Sequence, residues 1–119
     1  MKTRIDPRAL TRELLAFNTI NPPGMERACA RHLGAILEAA GFRTAYHEFA
    51  EARTTLMAEI GGDPDRPPIC FTGHIDTVPL TTDPPNLPTT RVTDAAGADI
   101  LRGRGTCDMK GGDAVILRI

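Results

Sequence analysis

The chain has 119 residues, a net charge of −1 with acids and bases interspersed, and 41% apolar residues, enough for one modest globular domain. That charge balance gives no footprint for nucleic acid or an acidic membrane surface, and no stretch approaches a membrane span or a secretory signal. With no Trp, one Tyr and four Phe, the core has to rest on Leu, Ile, Val and Ala.

In chain order, Asp6-Pro7 predicts a helix start, an acceptor followed by a proline at the first helical position. Leu10, Leu14, Leu15 and Phe17 carry that helix to about Asn18, and Asn21-Pro22-Pro23-Gly24 breaks it. A second helix is predicted from Met25 to Ala40, with Cys29, Leu33, Ile36 and Leu37 on its apolar stripe and Gly41 as its stop. Phe42 to Phe49 and Thr54 to Ile60 read as two strands joined at Ala50 to Arg53. Pro68 to Thr72 is a compact apolar run that predicts a buried central strand, with Cys70, like Cys29, a small core residue. Leu80 to Thr90 reads as a loop, Arg91 to Thr93 and Asp99 to Leu101 as a hairpin, and Asp113 to Ile119 as the start of a helix. This order predicts an α/β layered domain with a mixed β-sheet flanked by helices, incomplete at its C-terminus. The three cysteines, Cys29, Cys70 and Cys107, form no metal knuckle and no disulfide framework, so a reducing cytoplasm is expected.

Two segments carry chemistry, and both fall just beyond predicted strands, where functional residues of such sheets gather. In Gly73-His74-Ile75-Asp76-Thr77-Val78-Pro79, extended backbone would put His74 and Asp76 on one side. An imidazole beside a carboxylate suits a metal ligand with its orienting partner, and equally suits a plain hydrogen-bonded pair. In Gly103-Arg104-Gly105-Thr106-Cys107-Asp108-Met109-Lys110-Gly111-Gly112, four glycines in ten residues surround Asp108. A tight turn before a helix and a carboxylate that bridges two cations both fit that pattern, whereas a phosphate loop does not match its spacing. His32 and His47 read as ordinary helix and strand residues.

Taken together, the two segments resemble the G-H-x-D-x-V-P and G-R-G-x-x-D-M-K-G-G signatures of the acetylornithine deacetylase, succinyl-diaminopimelate desuccinylase and glutamate carboxypeptidase family of dizinc hydrolases. Phe17 to Gly24 is similar to that family's first-helix exit. The resemblance implies that His74 binds one zinc, that Asp108 bridges two, and that Asp76 is the catalytic-site aspartate orienting His74. It implies two zinc ions per complete active site, with cobalt able to replace them, and a strained, cis peptide after Asp108. The implied activity is hydrolysis of an amide bond in small N-acyl amino acids or peptides. The implied whole protein is a homodimer with a dimerisation domain inserted in the catalytic one.

On the same resemblance, residues 1–119 form the N-terminal part of the catalytic domain. A Glu-Glu pair supplying base and ligand, a further acid and a late His would lie beyond Ile119, since only eleven residues follow Asp108. The chain by itself is then expected to bind zinc poorly and to be inactive, the alternative being a truncated remnant that acts as an interaction module. A phosphoesterase sharing His-x-Asp by chance is a third reading, opposed by Asp-Met-Lys-Gly-Gly. Three positions depart from the family pattern. Thr81-Thr82-Asp83-Pro84-Pro85 lacks the usual Trp, Arg102 stands where an aromatic residue is common, and Asp113 where a small apolar residue is typical.

Overall fold

A computed structural model describes residues 4–80 and 90–118. Helix α1 spans Pro7–Leu15, and the Asp6 carboxylate accepts from the Arg8 N–H at 3.0 Å, so the cap read from Asp6-Pro7 is formed. The helix ends before Asn18 because Thr19 to Asn21 run alongside Thr77 instead: Ile20 and Thr77 form a parallel bridge, Asn21 N–H donates to Thr77 O at 2.7 Å, and Thr77 N–H to Thr19 O at 3.0 Å. Helix α2 spans Arg27–Ala39. Its end is closed by Phe42 N–H to Leu37 O and Gly41 N–H to Glu38 O, the paired pattern that satisfies the last carbonyls of a helix.

Strands β1 (Arg43–Ala50) and β2 (Arg53–Glu59) form an antiparallel hairpin with Tyr46 opposite Leu56, and an irregularity between Glu48 and Ala50 bends the ladder into the turn. Strands β3 (Thr90–Thr93) and β4 (Asp99–Arg102) form the second hairpin, Val92 opposite Ile100, as predicted. A single wide turn over Thr106–Lys110 leads into α3, Gly111–Ile116. The fold is α/β, with helices and two small antiparallel sheets.

The core is small. Leu10 and Leu14 of α1 meet Cys29 and Leu33 of α2 and Ala114 of α3, with Phe17, Leu56, Ile75 and Leu117 packed around them. Burial of these side chains is what holds the helices together, at roughly 25 cal/mol per Å² of apolar surface removed from water. Burial pushes the Cys29 thiol up to about 11, so it behaves as the inert core residue expected.

Pro68 to Thr72 differs from expectation. It forms no strand, Ile69 is 82% and Phe71 58% exposed, and Cys70 is exposed rather than buried. Apolar composition gives a segment the tendency to be a central strand, but a strand exists only through its neighbours. Among the described residues β1 pairs with β2 and β3 with β4, and none of these strands lies beside residues 68–72. The loop expected from Leu80 to Thr90 falls on residues 81–89, outside the described residues, as does Ile119.

An ion pair ties the hairpin to α2. Arg27 reaches Glu48 with its Nε at 2.7 Å and a second contact through Nη2, while Ala52 N–H donates to Glu48 at 3.2 Å. The Arg27 hydrogen bond outweighs partial desolvation and lowers the Glu48 carboxyl from 4.5 to about 2. A carboxyl depressed on folding contributes stability above its unfolded value, and this is lost as pH falls through about 2. Glu48→Gln is therefore expected to flatten the decline of the thermal midpoint between pH 5 and 2. Superimposable pH profiles for the two proteins would remove the pair from any account of acid stability.

Candidate metal centre

The site is built from the extended segment after residue 72 and the wide turn before α3. Gly105, at φ +83, opens that turn with Thr77 Cγ2 only 2.9 Å from where a Cβ would sit, so any side chain there would collide with the His74 segment. Lys110 N–H closes the turn on Gly105 O at 3.0 Å, and Lys110 itself is 2% exposed, its ammonium donating to Phe17 O at 3.0 Å. Burial lowers the Lys110 pKa. The peptide between Asp108 and Met109 is cis, as the resemblance implied. At the top of this turn the Asp108 carboxylate stands 83% exposed.

From the other side, Thr19 Oγ1 donates to Ile75 O at 2.6 Å and fixes the backbone between His74 and Asp76. His74 Nε2 lies 2.8 Å from Asp108 Oδ1, and His74 Nδ1 lies 3.1 Å from Asp76 Oδ1 and 3.2 Å from the Asp76 carbonyl. The three residues singled out from the sequence, His74, Asp76 and Asp108, are thus brought into one chain of contacts. Burial works against a charge on His74, but the hydrogen bond with Asp108 and the neighbouring carboxylates outweigh it and raise its pKa. Burial likewise opposes ionisation of Asp76, and the hydrogen bond from Asn21 with the charge of His74 overcomes it and lowers that pKa.

Two residues beside Asp76 carry no motif that would single them out. Asn21 Nδ2 donates to Asp76 Oδ2 at 3.0 Å, and Arg53 Nη2 lies 3.8 Å from the same oxygen. Asn21 lies fifty-five residues from Asp76 and sits in a Pro-rich turn that reads as a helix breaker, while Arg53 reads as a hairpin-turn residue. Their only signal is polar character, of Asn21 beside the proline break and of Arg53 at the hairpin turn. His32 stays structural: its Nε2 is 3.0 Å from Glu13 on α1, away from this centre.

Comparison with known proteins fits this geometry. The profile of Peptidase family M20/M25/M40 matches residues 70–119, a span that includes both His74 and Asp108. The chain is 34% identical over 119 residues to the succinyl-diaminopimelate desuccinylase of Wolbachia pipientis subsp. Culex pipiens, covering 96% of this chain and 27% of that protein. Over residues 70–119 the chain is similar to peptidase family M20/M25/M40. The same enzyme from Gluconobacter oxydans is 36% identical over 112 residues, 92% of this chain and 28% of the relative. The beta-Ala-His dipeptidase of Mus musculus is 45% identical over 62 residues, 47% of this chain and 11% of that protein. The chain therefore spans about a quarter of the length of the desuccinylases it matches. No solved structure matches it. No helix among the described residues is long and apolar enough to cross a membrane.

Proposed function

We propose that this chain belongs to peptidase family M20/M25/M40 and carries the metal-binding N-terminal part of the catalytic domain of a zinc-dependent hydrolase of amide bonds. The reading is supported above all by the contact of His74 Nε2 with Asp108 Oδ1, backed by Asp76 on the other ring nitrogen. Imidazole nitrogen and carboxylate oxygen are a donor set that suits zinc, and a carboxylate accepting the remaining ring N–H is the usual support of a ligating histidine. The donors are half-exposed to exposed, which leaves them open to an ion and a substrate. His74 would hold one ion and Asp108 would bridge two, while Asp76 orients the His74 ring. When bound, a zinc pair supplies Lewis-acid polarisation of the scissile carbonyl and lowers the pKa of water toward neutrality.

No group of three or more metal-binding side chains converges among the described residues. A catalytic zinc takes typically three protein ligands, so the rest of both shells, and the glutamate that relays the proton, are assigned to sequence beyond residue 119. An inserted dimerisation domain would lie there too. The substrate class is small N-acyl amino acids or peptides: removal of a succinyl group and cleavage of a dipeptide, the activities named for the relatives, share an amide bond. The free thiols of Cys29, Cys70 and Cys107 suit a reducing cytoplasm.

Calorimetric titration of the metal-free chain with zinc tests the reading. Weak binding, lost in His74→Ala, is expected, and two-ion binding at submicromolar affinity would show that the chain needs no further ligands. Exposed Ile69 and Phe71 favour, as second reading, an inactive remnant that docks on a partner. The reading frame after codon 119 separates the two: continuation into a Glu-Glu pair and a late His supports the enzyme, an immediate stop the remnant.

A further inference from the structure

We propose that Glu26, Arg53 and Asn21 form a positioning relay that decides which nitrogen of His74 carries the proton. The functional meaning of the relay rests on the zinc reading above, but its geometry does not.

The relay begins at a buried charge. Glu26, immediately before α2, is only 4% exposed, and an isolated carboxylate there would be costly. Arg53 on β2 satisfies it through Nη2 at 2.8 Å and Nε at 3.2 Å to Oε1. That fork fixes the guanidinium plane, which also lies over the Phe49 ring at 5.3 Å. Space around it is closed as well, since a Cβ on Gly24 would stand 2.6 Å from Arg53 Nε. The guanidinium is held from several sides.

The remaining arm, Nη1, donates to Asn21 Oδ1 at 3.4 Å. Arginine has no acceptor, so the oxygen of the Asn21 amide must face it and the NH2 must face away. That NH2 meets Asp76 Oδ2 at 3.0 Å. With Oδ2 engaged by Asn21 and by the charge of Arg53, Oδ1 is the oxygen turned to His74 Nδ1. In the singly protonated ring, Asp76 and Asp108 compete for one proton. Asp76 is braced by Asn21 and Arg53 and 31% exposed, whereas Asp108 is 83% exposed. The relay favours N–H at Nδ1 and leaves the lone pair of Nε2 facing Asp108, which is the form a metal ion needs.

Asn21→Asp isolates this role. It keeps the shape and the oxygen that Arg53 donates to, and turns a second, negatively charged acceptor toward Asp76, so the two carboxylates must share a proton or move apart and Asp76 loses its hold on Nδ1. Long-range nitrogen–carbon-proton NMR of the metal-free chain, at a pH where His74 carries one proton, reads the tautomer directly. The parent is expected to show mainly the Nδ1–H form, and Asn21→Asp to shift the ratio toward Nε2–H by about tenfold, the effect of losing one charge-assisted hydrogen bond. Arg53→Lys, which keeps the charge beside Glu26 but cannot reach Glu26 and Asn21 together, should shift the ratio in the same direction by less. A folded Asn21→Asp chain with the parent's ratio overturns the relay; should that variant not fold, an unchanged ratio in Arg53→Lys does so. Zinc titration is a separate readout, so loss of the zinc reading would leave the tautomer result standing.

Discussion

Asp108→Ala in the full-length enzyme proposed above is expected to strip zinc and to lower kcat/KM by roughly three orders of magnitude or more. Metal catalysis supplies several kcal/mol of transition-state stabilisation, and each 1.4 kcal/mol is about tenfold in rate. The carboxylate proposed to bridge both ions cannot be replaced by a neighbour, because no other acid among the described residues lies in contact with His74 Nε2. Asp76→Asn should cost less, about 10–100-fold in metal affinity, as expected for a group that supports a ligand. Cys107→Ser, one residue from Asp108 and exposed, should leave both quantities unchanged. Zinc content by atomic absorption with kinetics on an N-acyl amino acid reads all three. Full activity in Asp108→Ala would remove the bridging role, and an Asp76→Asn effect as large as that of His74→Ala would make Asp76 a ligand.

The second large effect lies just behind the site. Gly73 precedes His74, and a Cβ there would stand 2.1 Å from Asp113 Oδ1 and 3.1 Å from Met109 Cε. Gly73→Ala is expected to destabilise the chain by about 1–3 kcal/mol, the cost of overpacking, and to displace His74. Asp113 is itself anomalous: it is 5% exposed, and its Oδ2 accepts no hydrogen bond. Burial, only partly offset by the positive charges of His74 and Lys110, raises its carboxyl from 3.8 to about 6. A carboxyl raised on folding stabilises the chain most when protonated, so its contribution is full below 3.8 and lost as pH rises through about 6. Asp113→Ala should therefore remove roughly 2–3 kcal/mol of stability loss between pH 4 and 7, an order-of-magnitude value from that shift. The Gly73→Ala/Asp113→Ala pair should lose less than Gly73→Ala alone, because the colliding oxygen is gone. Urea denaturation at pH 4 and 7 reads the cycle. Additive effects would show that the two positions do not touch.

Much of the local structure was legible because its causes are local. Asp6-Pro7 specifies a helix start, Gly41 its successor's stop, and the spacing of Leu10, Leu14, Cys29 and Leu33 marks the faces that form the core. Both hairpins follow from short alternating runs joined by turn residues. Residues 68–72 differ from the strand they predict because apolarity encodes a tendency to burial and not the neighbouring strand that would provide it. At the site, His74, Asp76 and Asp108 were legible through their motifs. Asn21, Glu26 and Arg53 were not, because nothing in a stretch of prolines or a hairpin turn announces which distant carboxylate its side chains will reach. Asp113 was visible as a departure from the family pattern, but its burial, with Oδ1 against Gly73 and Oδ2 accepting no hydrogen bond, appears only in the folded chain.

The bonds that join the site are long in sequence. Thr19 meets Ile75 across 56 residues, Asn21 meets Asp76 across 55, and Lys110 meets Phe17 across 93. The hairpins and helices, by contrast, close over short loops and can form before the chain ends find each other. Assembly of the His74–Asp108 centre should therefore come late in folding, and its amide protons should exchange with solvent through partial openings that spare the β1–β2 ladder.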